Sequence, residues 1–272
     1  MSTSVNSSLD KPTDLRRMAL CWLQQTDPVA KACAVRAATP SALPCDPSLS
    51  WPQPTADLPG MPQRPALVSH TEIRHGSIHT PRGRASLLHA VAHIELNAIH
   101  LALDAVWRFP GLPLAYYTDW MRVAQEEAQH FLMLQAHLND LGFTYGDFPA
   151  HQGLWNMVEK TQHDVLARMA LVPRTLEARG LDASPPMRAK LAAAGDARAC
   201  EILDVILQEE IGHVAVGNRW YRWLCEQAGV DPLQRYTELL EAFDAPRPRP
   251  PFNLKARRDA GFTEAELALL EA

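Results

Sequence analysis

The chain writes one five-residue pattern twice: Glu126-Glu127-Ala-Gln-His130 and Glu209-Glu210-Ile-Gly-His213. In each, the second Glu and the His are three residues apart, so on a helix they share one face and can point at one spot. Both copies fall in long stretches of helical texture, and no other feature constrains the fold as much. A single Glu-x-x-His arises by chance. Two of them, on separate long helices, match the pattern of a dinuclear carboxylate site built inside a four-helix bundle.

The surrounding texture supplies the helices. Residues 82–109 carry apolar side chains at most i, i+3 and i+4 positions, with no Pro or Gly after Gly83, and Phe109-Pro110-Gly111-Leu112-Pro113 ends the run. A second helix is predicted from about 113 to 141, a third over 154–179 ending at Gly180, and a fourth from Asp196 to about Ala228, with Gly229 behind it. Ser184-Pro185-Pro186 reads as the start of a short connecting piece. No segment reads as a strand. The expected fold is all-α: a bundle over 81–230, preceded over 1–80 by short helices and a Pro-rich arm, and followed over 231–272 by short helices and a second Pro-rich segment.

The arms differ in texture from a linker. Leu15, Met18, Ala19 and Trp22 fall at helical spacing, whereas residues 39–65 hold eight prolines and cannot be a helix. Trp51, Leu58, Met61, Leu67 and Val68 lie within or beside the proline run and suggest an ordered arm packed on the bundle, roofing the metal pocket or joining a neighbouring subunit. Pro246-Arg-Pro-Arg-Pro-Pro251 separates two short C-terminal helices, the last opening on the capping-box pattern Thr263-Glu-Ala-Glu266.

A dinuclear site also needs a carboxylate from each remaining helix. Glu95 sits on the first among Val91, Ala92, Ile94, Leu96 and Ile99, and Glu177 sits on the third. Glu95 precedes Glu127 by 32 residues, and Glu177 precedes Glu210 by 33. Midway between 95 and 127 lies Gly111, in the predicted turn, so in an antiparallel hairpin both ligands stand at one height, roughly 20 Å from the turn. The second interval lacks that symmetry if the third helix ends at Gly180, which leaves Glu159 and Asp164 as alternatives to Glu177.

Four carboxylates carry four negative charges, which two divalent metals cancel; buried without cations they would be very costly. Mixed oxygen and imidazole donors suit iron, or manganese, better than a thiolate-preferring metal. Glu126 and Glu209 each can accept a hydrogen bond from a ligand imidazole across the bundle, as metal-bound histidines commonly require. His93 lies about 200° around the helix from Glu95 and is expected to support the site from outside rather than to ligate. Pro173 should disturb the third helix, and Gly212 should leave room beside the metals. Tyr116, Tyr117, Trp120, Trp155, Trp220 and Trp223 read as core.

Composition excludes several classes. At 47% apolar and 21% charged the chain is not disordered, and a net charge of -5 gives no global basic field for nucleic acid. Because 21 of the 26 basic residues are Arg, a local RNA groove stays open. No run of 18 uncharged apolar residues suggests a membrane span, and the polar N-terminus has no signal core. Five cysteines without a CxxC pair read as reduced thiols of a cytoplasmic protein and argue against a zinc ribbon or rubredoxin-type iron.

Several runs carry a family likeness: His93-Ile-Glu-Leu-Asn-Ala-Ile, Tyr145-Gly-Asp-Phe-Pro-Ala-His-Gln-Gly-Leu-Trp155, Arg168-Met-Ala-Leu-Val-Pro-Arg, Leu176-Glu-Ala-Arg-Gly-Leu-Asp182 and Glu210-Ile-Gly-His-Val214. Over about residues 58–262 the chain resembles the uncharacterised bacterial ferritin-like family called domain of unknown function 455. The resemblance implies a ferritin-like bundle, with the general ligand pattern falling on Glu95, Glu127, His130, Glu177, Glu210 and His213. A more distant similarity of pattern is to di-iron tRNA and quinone hydroxylases.

Three functions follow as expectations. The foremost is an O2-activating oxidoreductase with two metal ions, most simply a hydroxylase, whose substrate is a modified tRNA, a quinone or a small metabolite and whose electron donor is unknown. The second is iron binding or peroxide detoxification, which the long arms and the lack of a Cys-rich module disfavour. The third is a non-catalytic helical interaction protein. A homodimer is compatible with each.

Overall fold

The computed structural model describes residues 14–73, 76–151 and 153–271. Its helices are α1 (Leu15–Gln24), α2 (Pro28–Arg36), α3 (Pro81–Arg108), α4 (Leu114–Asp140), α5 (Gly153–Lys160), α6 (Val165–Leu171), α7 (Ala178–Ala193), α8 (Ala197–Ala228), α9 (Pro232–Ala242), α10 (Leu254–Asp259) and α11 (Glu264–Glu271). Among the described residues there is no strand, only one isolated bridge between Leu67 and Ala150. The protein is therefore all-α.

Two long hairpins form its centre. Helix α3 starts on Thr80, whose hydroxyl accepts from the Gly83 N–H at 3.1 Å, with Pro81 pre-set at the first helical position. It turns at Gly111, which holds φ +78, and α4 returns beside it. The second hairpin pairs α7 with α8, and α4 packs on α8 to join the two. Asp196 caps α8 through the Ala199 N–H at 3.0 Å and also accepts from His137 Nε2 of α4 at 2.9 Å, so the hairpins are tied at that end. Helix α3 alone among the described helices is long and apolar enough to cross a membrane by composition; 83% of that window is buried in this fold, which marks it as the core helix.

The third long helix departs from the sequence reading. It is neither one helix over 154–179 nor finished at Gly180. Helix α5 stops at Lys160, Asp164 caps α6 through the Ala167 N–H, a π-helical turn spans Val172–Glu177, and α7 then runs through Gly180, Pro185 and Pro186 to Ala193. Pro185 cannot donate to the Leu181 carbonyl, which would ordinarily end the helix. Instead Asn253 Nδ2, from the C-terminal segment, donates to that carbonyl at 3.2 Å, and Ser184 Oγ donates to the Gly180 carbonyl at 2.8 Å. Arg257 then binds the Asp182 carboxylate with two N–H groups at 2.6 and 3.1 Å. The turn of the second hairpin consequently falls at Ala194-Gly195, just past the midpoint between 177 and 210. Glu177 and Glu210 therefore stand within about one helical turn of the same height.

The π turn has its own cause and its own support. Pro173 removes an i→i−4 bond, the turn widens, and Thr175 Oγ1 donates to the Ala170 carbonyl at 2.7 Å. Gly217 of α8 lets Pro173 approach closely; a Cβ there would stand 2.6 Å from the proline's Cβ. The buried Arg174 guanidinium donates to Asn218 Oδ1 at 2.7 Å and Glu266 Oε1 at 2.8 Å while stacking on Tyr221, Tyr236 and Phe262. Through Arg174, α8, α9 and α11 all hold the turn that ends at Glu177.

The N-terminal arm is ordered over its described residues. Fully buried Arg16 donates to the carbonyls of Asp46 and Pro47 in the arm and of Val106 and Trp107 at the end of α3, at 3.0–3.3 Å. Gly60 donates to the Leu23 carbonyl at 2.9 Å, and the Val68 and Ala150 amides bond across at the bridge. Arg16→Ala would leave several buried carbonyls without donors, each costing about 1–3 kcal/mol. We expect a lower melting temperature and rapid proteolysis within 39–68, both readable on the purified variant; equal resistance in variant and wild type would separate arm order from Arg16.

Lys31 of α2 is buried against the same arm, its Nζ 2.9 Å from the Gly60 carbonyl, 3.3 Å from that of Leu23 and 2.5 Å from His100 Nε2. Burial lowers its pKa from 10.5 to about 7. Between those values the unfolded chain binds a proton that the native protein lacks, so Lys31's contribution to stability rises with pH across that window. Relative to Lys31→Met, the wild-type melting temperature should climb from pH 7 to 10; a constant difference would mean that Lys31 stays charged in the fold.

Candidate metal centre

The six ligand candidates come from four stretches of the two hairpins. Helix α3 presents Glu95, α4 presents Glu127 and His130, the end of the π turn presents Glu177, and α8 presents Glu210 and His213. All six are buried. Glu95, Glu127, His130 and Glu210 each offer a ligand atom within 4.8 Å of the others, a group able to hold a metal ion. His213 Nδ1 stands 2.8 Å from Glu127 Oε1 and 3.5 Å from Glu210 Oε1. Glu177 lies near enough to interact electrostatically with Glu210, Glu127, His213 and Glu95, and neither of its carboxylate oxygens has a hydrogen-bond partner.

Glu127 occupies the middle. Its Oε2 is 3.3 Å from His130 Nδ1 and its Oε1 is 2.8 Å from His213 Nδ1, so one carboxylate reaches both imidazoles. His130 Nδ1 also lies 3.0 Å from Glu95 Oε2. Both rings thus turn Nδ1 inward. Their Nε2 atoms turn outward and across: His130 Nε2 is 2.7 Å from Glu209 Oε2 on the other hairpin, and His213 Nε2 is 2.7 Å from Glu126 Oε2. Glu126 and Glu209 are half-buried. An Nε2–H donated to a carboxylate leaves the Nδ1 lone pair free for a cation at the centre.

The electrostatics are those of a site short of positive charge. Burial, then the neighbouring carboxylates, push Glu95, Glu177 and Glu210 above the usual carboxylate range. Burial would also raise Glu127, but the two imidazoles override it and hold that carboxyl low. Burial would lower His130 and His213; the carboxylates around them win and hold both imidazoles charged well above the ordinary range. Glu210 Oε2 and both oxygens of Glu177 remain without hydrogen bonds. Buried polar atoms are seldom left so, and three unpartnered carboxylate oxygens beside two imidazoles fit a cation.

Other residues singled out in the sequence lie elsewhere. His93 does not join the cluster: Tyr145 OH donates to its Nδ1 at 2.7 Å and its Nε2–H donates to the His151 carbonyl at 3.0 Å, with burial lowering its pKa to about 4. Glu159 is exposed and accepts from Trp155 Nε1, and Asp164 is the α6 cap. Gly212, expected beside the metals, faces open space on the outside of α8. Pro173 does disturb the third helix, but its ring is seated on Gly217.

The arrangement belongs to the class of all-helical proteins with a buried carboxylate–histidine cluster. The chain is a member of the family described as protein of unknown function (DUF455), whose model matches residues 24–268. It is 48% identical over 221 residues to an uncharacterized protein of Haemophilus influenzae, covering 79% of this chain and 77% of that one. No solved structure matches significantly.

Two sets of variants probe the cluster. His130→Ala should lose metal, while Glu126→Gln and Glu209→Gln should weaken it less, by about 10- to 100-fold; metal titration of the purified proteins reads this. Glu177→Gln removes a buried acid whose raised pKa makes it a cost at neutral pH, so the metal-free protein should melt no lower than wild type. The same variant should lose most of the stabilisation that added metal confers. A variant that melts lower without metal, yet responds fully to it, would place Glu177 outside the centre.

Proposed function

We propose that the two hairpins form a ferritin-like four-helix bundle and that the protein is an oxidoreductase using two metal ions, iron foremost and manganese second, to activate O2. The observation that carries this reading is the gathering of four buried carboxylates and two imidazoles from four helical segments, with three carboxylate oxygens left unpartnered. Two dications balance four carboxylates, which storage of a single ion would not. Two redox-active metals held together would supply two electrons for reduction of O2 and a Lewis-acid contact for oxygen.

The chain's own residues do the rest. Glu127, in reach of both imidazoles, would hold the cations together with His130 and His213. Glu126 and Glu209 orient His213 and His130 and keep Nδ1 unprotonated toward the centre once cations are present. Burial by α3, α4, the π turn and α8 excludes bulk water from the oxidant. Hydroxylation of an organic substrate is the reaction class that best fits an enclosed centre of this kind.

Metal analysis of protein purified without added metal, followed by O2 uptake with a chemical reductant, tests the proposal. We expect about two metal ions per chain and catalytic O2 consumption lost in Glu127→Ala. Accumulation of a ferric core without turnover would favour iron storage instead, and a protein that binds no metal would remove both.

A further inference from the structure

The two hairpins meet along one seam, where α4 and α8 run antiparallel: Glu126 faces His213, and His130 faces Glu209. Exposure changes abruptly there. The side chains of His130 and His213 are 0% and 1% exposed, whereas those of Glu209 and Glu126, bonded to them, are 37% and 33% exposed. Each outer carboxylate lies 2.7 Å from an Nε2 whose ring turns Nδ1 toward Glu127, at 3.3 Å for His130 and 2.8 Å for His213. From solvent to the middle of the cluster is therefore one imidazole deep, and the path is present twice. The rings do not seal the seam by stacking, because their centroids are 5.8 Å apart and their planes are tilted by 36°.

Gly212 keeps this seam uncovered. It stands three residues after Glu209, so a side chain there would lie beside that carboxylate on the helix surface. It is exposed within α8, and a Cβ there would meet nothing within 4 Å beyond the helix's own backbone. Neither a turn nor a close packing contact calls for glycine at this place, and glycine inside an exposed helix lowers stability relative to alanine. Around the rest of the centre the pattern is absent: among the described residues no exposed acid is bonded to Glu95, Glu177 or Glu210. That a cation is the traveller follows independently of the outer acids, from the unpartnered oxygens of Glu177 and Glu210 within. A divalent ion gives up its water reluctantly, and an exposed carboxylate backed by a buried imidazole replaces that water in steps.

Resting on the proposed metal oxidoreductase, we infer that the α4–α8 seam is the port by which divalent metal ions enter the centre: Glu209 and Glu126 take an ion from water, and His130 and His213 pass it to Glu127. The two outer carboxylates then close the port by returning to the Nε2–H groups of the rings. Gly212 sets the width of the opening. Glu126 and Glu209 thereby have two tasks, orienting the imidazoles when the centre is filled and drawing cations to the surface when it is not.

The test uses the metal-free full chain and cobalt(II), with association followed by stopped-flow absorbance and dissociation by a chelator chase. Gly212→Leu, which covers the port, should slow both rates by the same factor, about tenfold, leaving the dissociation constant unchanged. It should melt no lower than wild type, because leucine favours helix over glycine. Gly212→Lys should slow association and Gly212→Glu should speed it, and the difference between them should shrink in about 0.5 M salt. Ile94→Lys, on α3 beside Glu95 and 44% exposed, should leave both rates as in wild type. Rates that ignore all three Gly212 variants, or association slowed more by Ile94→Lys than by Gly212→Lys, would overturn the port and leave the metal centre standing. A wild type that binds no cobalt would remove the metal reading and the port together.

Discussion

The interaction on which the rest of this structure depends is the contact of one carboxylate, Glu127, with two imidazoles, His130 beside it and His213 on the opposite hairpin. All three side chains are buried. A charged group moved out of water demands a partner, and here the partner of an acid on α4 stands on α8. The outward bonds, His130 to Glu209 and His213 to Glu126, repeat the crossing in reverse. The two hairpins are therefore locked in register by charge, over an apolar core that by itself would tolerate sliding.

That lock still leaves three acids with too little positive charge around them. Glu95, Glu177 and Glu210 are driven toward protonation by burial and by one another. A sequence that buries so many carboxylates without matching cations sacrifices stability, and such sacrifices are concentrated at functional sites. The fold tolerates it because the remainder is heavily braced. Arg174 fixes the π turn that ends at Glu177, and Arg257 and Asn253 hold α7 through its two prolines. The C-terminal segment thus acts on the cluster without touching it, by holding the helix that carries one of its acids.

Much of this was legible in the residues. Helical periodicity and the Gly and Pro punctuation marked α3, α4 and α8 to within a few residues, because those helices are amphipathic along their whole length and obey local rules. The twin Glu-Glu-x-x-His motifs put Glu127 and His130, and Glu210 and His213, on shared faces, since i and i+3 spacing is a property of the helix alone. Gly111 midway between 95 and 127 set Glu95 at their height. The third helix was different. Its passage through Pro185 and Pro186 depends on donors from residues more than seventy positions away, Asn253 and Arg257, and its π turn on the Pro173–Gly217 contact. No local pattern contains them. The sequence by itself determined which residues could be ligands; the tertiary structure alone decided that the helix beyond Glu177 continues through two prolines and returns toward Glu210, because that rests on long-range hydrogen bonds and packing.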